Sequence, residues 1–140
     1  MKYLYLFIFL IFIGCNSKTI ISLKSYECSL NISKRDFDKK TIKNEDFDAV
    51  ILINNHQEEL FFTPNIIDLY PIMDDSTYNQ EIHKFSLLGK DEIEGIYNEK
   101  YWKQIRNNDY SSFGYQKVLL ENKIKFDSIL NQITCKKIRW

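Results

Sequence analysis

The chain has 140 residues, with 19 Lys plus Arg against 19 Asp plus Glu, which is enough length for one ordinary domain with a buried core and too little for two. Balanced charge excludes the basic footprint of a nucleic-acid binder and supplies no field to gather a charged substrate. Three cysteines, two histidines and four glycines leave few residues for metal, nucleophile or phosphate-cradling chemistry.

At the amino terminus Lys2 precedes an unbroken apolar and aromatic run from Tyr3 to Ile13, followed by small Gly14 and then Cys15. This is the charged start, apolar centre and small-residue cleavage pattern of a secretory signal. A transmembrane anchor or a buried core segment is the competing reading; length argues against the first, because about 13 helical residues span roughly 20 Å where a bilayer core needs about 30 Å, and a run apolar on every side argues against the second. Phe12-Ile13-Gly14-Cys15 resembles the lipobox of bacterial lipoproteins. That resemblance implies cleavage before Cys15 and lipid on the sulfur and amine of the new first residue. Residues 1–14 are then the signal peptide, 15–18 a lipidated terminus and short tether, and 19–140 a single globular domain. The membrane is the implied partner through Cys15, at the cell membrane or outer membrane, with the domain facing the periplasm or exterior. Two or more acyl chains hold firmly where one binds marginally. The resemblance covers these 15 residues and identifies no family for the domain.

With Cys15 committed to lipid, Cys28 and Cys135 remain, and an even remainder in an exported chain predicts a disulfide between them. Two separate buried thiols are the alternative. Tyr26, Cys28, Leu30 and Ile32 alternate with polar neighbours, the period of a half-buried strand. Residues 34–48 are charged and are expected to be a solvated connection. The apolar run Ala49 to Ile53, then Asn54 to Gln57, then Glu58 to Thr63 predicts a hairpin around a strand covered on both sides. Thr63-Pro64 opens a short helical turn that must stop before Pro71.

Thr77 and Gln80 form a capping box for a helix from Tyr78 to Gly89. Ile93, Ile96, Tyr97, Tyr101 and Ile105 make the stripe of a second helix starting at Asp91. Together these predict a helical hairpin over about 78–106. Val118, Leu120, Ile124 and Phe126 fall on one side of a second hairpin over 115–126 if Glu121, Asn122 and Lys123 form its loop. The rival reading is one long helix through this region, but Leu120 and Ile124 fall off its 3.6-residue stripe. A helix over about 128–137 then brings Cys135 against the first strand. The expected fold is α+β, a small antiparallel sheet packed against the helical hairpin and the C-terminal helix.

No catalytic set emerges, and no cofactor or metal is implied. His56 and His83 lie 27 residues apart, without further ligands at metal spacing. Asp74-Asp75 before Ser76-Thr77 reads first as turn and cap, and only as an unlikely alternative as the acid pair of a hydrolase. Six aromatics fall between Tyr97 and Tyr115. Among them Trp102, Tyr101, Tyr110 and Phe113 are candidates for a binding surface, because Tyr and Trp concentrate at interfaces. Packing of the same rings inside the domain is the competing reading. The expected function is a lipid-anchored, non-enzymatic envelope protein that binds a protein partner, an inhibitor or immunity-type binder being one form of it. A structural accessory lipoprotein of a larger assembly is the alternative.

Overall fold

A computed structural model of the chain describes residues 17–23, 26–43, 48–63, 91–107 and 111–138. Strand β1 (Lys18–Ser22) pairs antiparallel with β2 (Tyr26–Asn31). The predicted alternation of β2 places Tyr26, Cys28 and Leu30 inward. On its other edge β2 takes β9 (Thr134–Lys137), so the order is β1-β2-β9. Cys28 lies directly opposite Cys135 in that register, and the two are joined as a disulfide across a separation of 107 residues.

The larger sheet has six strands in the order β3-β4-β5-β8-β7-β6, from β3 (Phe37–Lys43), β4 (Asp48–Asn54), β5 (Glu59–Thr63), β6 (Glu92–Tyr97), β7 (Lys100–Arg106) and β8 (Ser112–Val118). Every pairing is antiparallel. The β4–β5 hairpin forms where the apolar run and the polar Asn54–Gln57 loop place it, with Gln57 in the left-handed region at φ 61°. One face of this sheet meets helix α1 (Leu120–Asn131) and the smaller sheet. Val50, Leu52, Leu60, Phe62, Phe113 and Tyr115 pack there with Phe126, Ile129 and Leu130 of α1 and with Ile21, Cys28 and Leu30. The opposite face is buried as well, through Ile51, Phe61, Trp102 and a polar row in which Gln104 Nε2 donates to Ser112 Oγ at 2.8 Å and Ser112 shares a hydrogen bond with Thr63. A sheet covered on both faces explains why β4 and β5 are apolar without alternation.

The α+β expectation is therefore overturned: the described residues form nine strands in two antiparallel sheets and one helix. The predicted turn at 64–71 and the predicted helix at 78–89 lie outside the described residues. The expected helix from Asp91 to Ile105 is instead the β6–β7 hairpin. Its two-residue turn, Asn98-Glu99, has both residues at positive φ, 46° and 62°, the mirror-image turn that matches strand twist. Gly95, a cost in a helix, is here required. It lies opposite Trp102, and a methyl group on it would fall 2.6 Å from the indole Cζ2.

Residues 34–48, expected to be a solvated connection, supply β3, whose lysines blunt an exposed sheet edge. The expected 115–126 hairpin is the end of β8 followed by the start of α1, and Glu121, Asn122 and Lys123 are helical rather than a loop. A register shift between β7 and β8 puts Lys117 in the left-handed region at φ 59°. There Lys117 Nζ donates to Glu59 Oε1 at 2.6 Å and Gln116 Nε2 donates to Glu59 Oε2. The expected helix over 128–137 stops at Asn131, and residues 134–137 pair with β2.

Candidate functional site

The β4–β5 loop, the turn leading into β3 and the first turn of α1 enclose a polar cleft of about 390 Å³ lined by Arg35, Asp36, Asp38, Asn54, His56, Glu58, Asn122 and Lys125 among others. Asn54 builds its floor. Its Oδ1 accepts from the backbone N–H groups of His56 and Glu58, both at 3.0 Å, and its Nδ2 donates to Glu58 Oε2 at 2.7 Å. This is the short-range side-chain turn that Asn favours in loops. His56 is exposed at the rim.

Glu58 is fully buried, yet no lysine or arginine among the described residues pairs with it. Four hydrogen bonds satisfy it instead. Besides that from Asn54, Leu119 N donates to Oε1 at 2.9 Å, and Asn122 Nδ2 reaches Oε1 at 2.9 Å and Oε2 at 3.1 Å. Leu119 is the N-cap of α1 and has no side chain able to cap it. A carboxylate from a distant strand end takes that role and also meets the positive end of the helix dipole. Burial pushes the Glu58 carboxyl up, but the hydrogen bonds from Asn122, Asn54 and Leu119 N outweigh it and hold its pKa below the ordinary value. Glu58 is thus an ionised anchor for loop and helix rather than a proton donor or acceptor for a ligand.

A stability test follows from this geometry. Glu58→Gln replaces one acceptor by an NH₂ group facing donors, and the expected loss is about 1–3 kcal/mol at neutral pH. A carboxyl whose folded pKa is depressed stabilises the fold above its unfolded value and loses that contribution as pH falls through the folded value. The parent should therefore weaken below about pH 4.3, and the variant should show a shallower acid decline. Urea denaturation of both proteins at neutral and acid pH measures this, and parallel pH profiles would remove the role given to the charge.

A second charged network fixes the other side of α1 to the sheet. Asp127 accepts from Tyr115 Oη at 2.9 Å and from Lys123 Nζ at 2.8 Å, and Lys103 Nζ lies 3.8 Å from Asp127 and 2.6 Å from Glu92. Burial pushes the Asp127 carboxyl up, and its bonds from Lys123 and Tyr115 and the charges of Lys123 and Lys103 bring it below its ordinary value. Its partner Lys123 is held above the usual range, chiefly by the hydrogen bond to Asp127. Burial and the bond to Asp127 push the Tyr115 hydroxyl far up, so it remains a donor.

Two of the four residues predicted for an aromatic surface, Trp102 and Phe113, are not at the surface. Trp102 has no exposed area and Phe113 is buried, because both point into the sheet's packed faces; Tyr101 is half-buried with Lys123 Nζ 5.8 Å from its ring centre, and Tyr110 lies outside the described residues. Cys15, Asp74, Asp75 and His83 also lie outside them. Among the described residues no three His, Cys, Asp or Glu side chains are grouped to hold a metal ion. Ile20 and Ile96 are exposed singly on strands, and the two most exposed large apolar side chains among the described residues lie on α1, where Leu120 is 67% and Ile124 83% exposed, one helical turn apart. The sequence carried a signal for the α1 pair. These two residues fall off the helical apolar stripe, and on a helix that places them on the outer face. Asn122 and Lys125 of the same helix line the cleft, and Leu120 and Ile124 are not among its lining residues. No family model, curated protein or solved structure matches this chain.

Proposed function

We propose that this chain is a lipid-anchored protein of the bacterial cell envelope whose domain binds a protein partner through the outer face of α1. The observation that carries the reading is the Leu120–Ile124 pair, two large apolar side chains left in water one helical turn apart, with the exposed charged residues Glu121 and Lys125 on the same turns. An apolar contact flanked by hydrogen-bonding and charged groups is the common anatomy of an interface, with affinity concentrated in a few buried anchors. The Cys28–Cys135 disulfide supports an oxidising compartment, and Phe12-Ile13-Gly14-Cys15 supports the anchor. Anchoring would confine the domain near partners at the same membrane and raise their effective concentration.

The test is crosslinking in intact cells, comparing the parent with a Leu120→Glu/Ile124→Glu double variant. One dominant crosslinked partner is expected, attached to α1 peptides and weakened roughly 10- to 100-fold in the variant, whose melting temperature stays close to that of the parent because both side chains are exposed. Crosslinks insensitive to the pair would sink the proposed face. If they also spread over many surfaces, they would favour the accessory role in an assembly. Intact-mass analysis of the amino terminus tests the anchor separately, and Cys15→Ala should release the chain from the membrane fraction.

A further inference from the structure

Where β1 at the edge of the smaller sheet approaches β3 at the edge of the larger one, a groove of about 300 Å³ opens to solvent. Its floor is apolar, made by Ile21, Ile32, Phe37 and Leu52, and its lining charges are two lysines, Lys34 and Lys39, with no acid. Ile20, 51% exposed, stands at the rim. Lys18 begins the same strand and is exposed, and it lines a neighbouring groove with Glu27 and Lys136. None of these three lysines forms an ion pair among the described residues. Lysines on sheet edges commonly serve to block strand pairing, but that role does not call for an apolar groove between them.

The position of this groove in the chain decides what it faces. Only Asn16 and Ser17 separate Cys15 from Lys18, so three Cα–Cα steps, at most about 11 Å, join the anchoring residue to β1. If Cys15 carries lipid, as the proposed function holds, β1 and its neighbours are pinned at the bilayer surface, close to the physiological screening length of about 8 Å. We infer that the β1–β3 groove is the face this domain lays against anionic phospholipid, with Lys34 and Lys39 on headgroup phosphates and Ile20 in the acyl boundary. Each lysine near such a surface contributes about fivefold in binding. The opposite charge balance of the α1 cleft, where Asp36, Asp38 and Glu58 meet Arg35 and Lys125, disfavours that side as the membrane face.

The test uses the full acylated chain reconstituted in vesicles of phosphatidylcholine alone or with phosphatidylglycerol added, with amide hydrogen exchange read by mass spectrometry. Peptides covering 18–22 and 37–43 should exchange several-fold more slowly when phosphatidylglycerol is present. The slowing should vanish in high salt and in the Lys34→Glu/Lys39→Glu variant, while α1 peptides stay unchanged. Equal exchange in both vesicles, with the acylated chain still vesicle-bound, overturns the docking face and leaves the anchor intact. A chain whose terminal mass shows no acylated Cys15, and which leaves both kinds of vesicle, overturns the anchor and the docking face together.

Discussion

Replacing Cys28 and Cys135 together by alanine is expected to lower stability by about 4 to 5 kcal/mol, the value the chain-entropy account assigns to a loop of this order. The bond spans 107 residues, nearly the whole domain, so its loss releases the unfolded chain more than a short loop would. The smaller sheet also depends on it locally. β9 has four residues and, among the described residues, pairs with β2 alone, through Tyr26↔Lys137 to Ser29↔Thr134. Without the bond that short edge strand keeps its ladder, the Ser29–Thr134 side-chain hydrogen bond at 2.8 Å and the exposed Lys136–Glu27 pair at 3.1 Å. A surface pair of that kind contributes at most about 1 kcal/mol. Thermal denaturation should show a fall of roughly 12–20 °C, reproduced in the parent by reductant. A variant melting within a few degrees of the parent would show that the ladder alone secures β9.

The second large effect is expected for Trp102→Ala, at about 3–5 kcal/mol. The indole is fully buried over Gly95, and a methyl group added at Gly95 would meet three ring atoms within 2.9 Å. Glycine and indole on facing strands fill one space, and alanine at 102 leaves it empty while Gly95 offers no side chain to collapse into it. Chemical denaturation and near-ultraviolet circular dichroism should report the loss as weaker packing throughout the β6–β7 hairpin. Trp102→Phe, which keeps most of the volume, should recover most of the stability. Parent-like melting of the alanine variant, with only partner binding affected, would restore Trp102 to the surface.

Elements whose sequence reports their own environment were legible. β2 is half-buried and alternates; β4 is buried on both faces and runs apolar; the turn between β4 and β5 carries Asn54, which makes its hydrogen bonds within the loop. Those whose form is dictated from a distance were not. Asn98-Glu99 turns a hairpin with two left-handed residues and no glycine, so the β6–β7 segment lacked the punctuation that separates strands and its apolar residues fitted a helical stripe equally well. β3 is charged because it is an edge, and charge reads as loop. Helix α1 begins at Leu119 with no capping side chain, since Glu58, 61 positions earlier, accepts from its N–H. The cleft depends on the same long-range contacts, which is why His56 and Glu58 gave no sign of being gathered beside Asn122.

The pairing of β2 with β9 also sets the order in which the molecule can be assembled. β1 and β2 are available as soon as the first residues emerge, but β2 cannot complete its second edge until the last residues of the chain have arrived. Closing that contact is a late, high-contact-order event, slow compared with the local β4–β5 and β6–β7 hairpins. Until then β2 presents an open row of backbone donors and acceptors next to the tether, an invitation to pair with another chain. Oxidation of Cys28 and Cys135 converts this last step into a covalent seal, so a chain shortened before Thr134 should accumulate as aggregates even though all six strands of the larger sheet are encoded before the break.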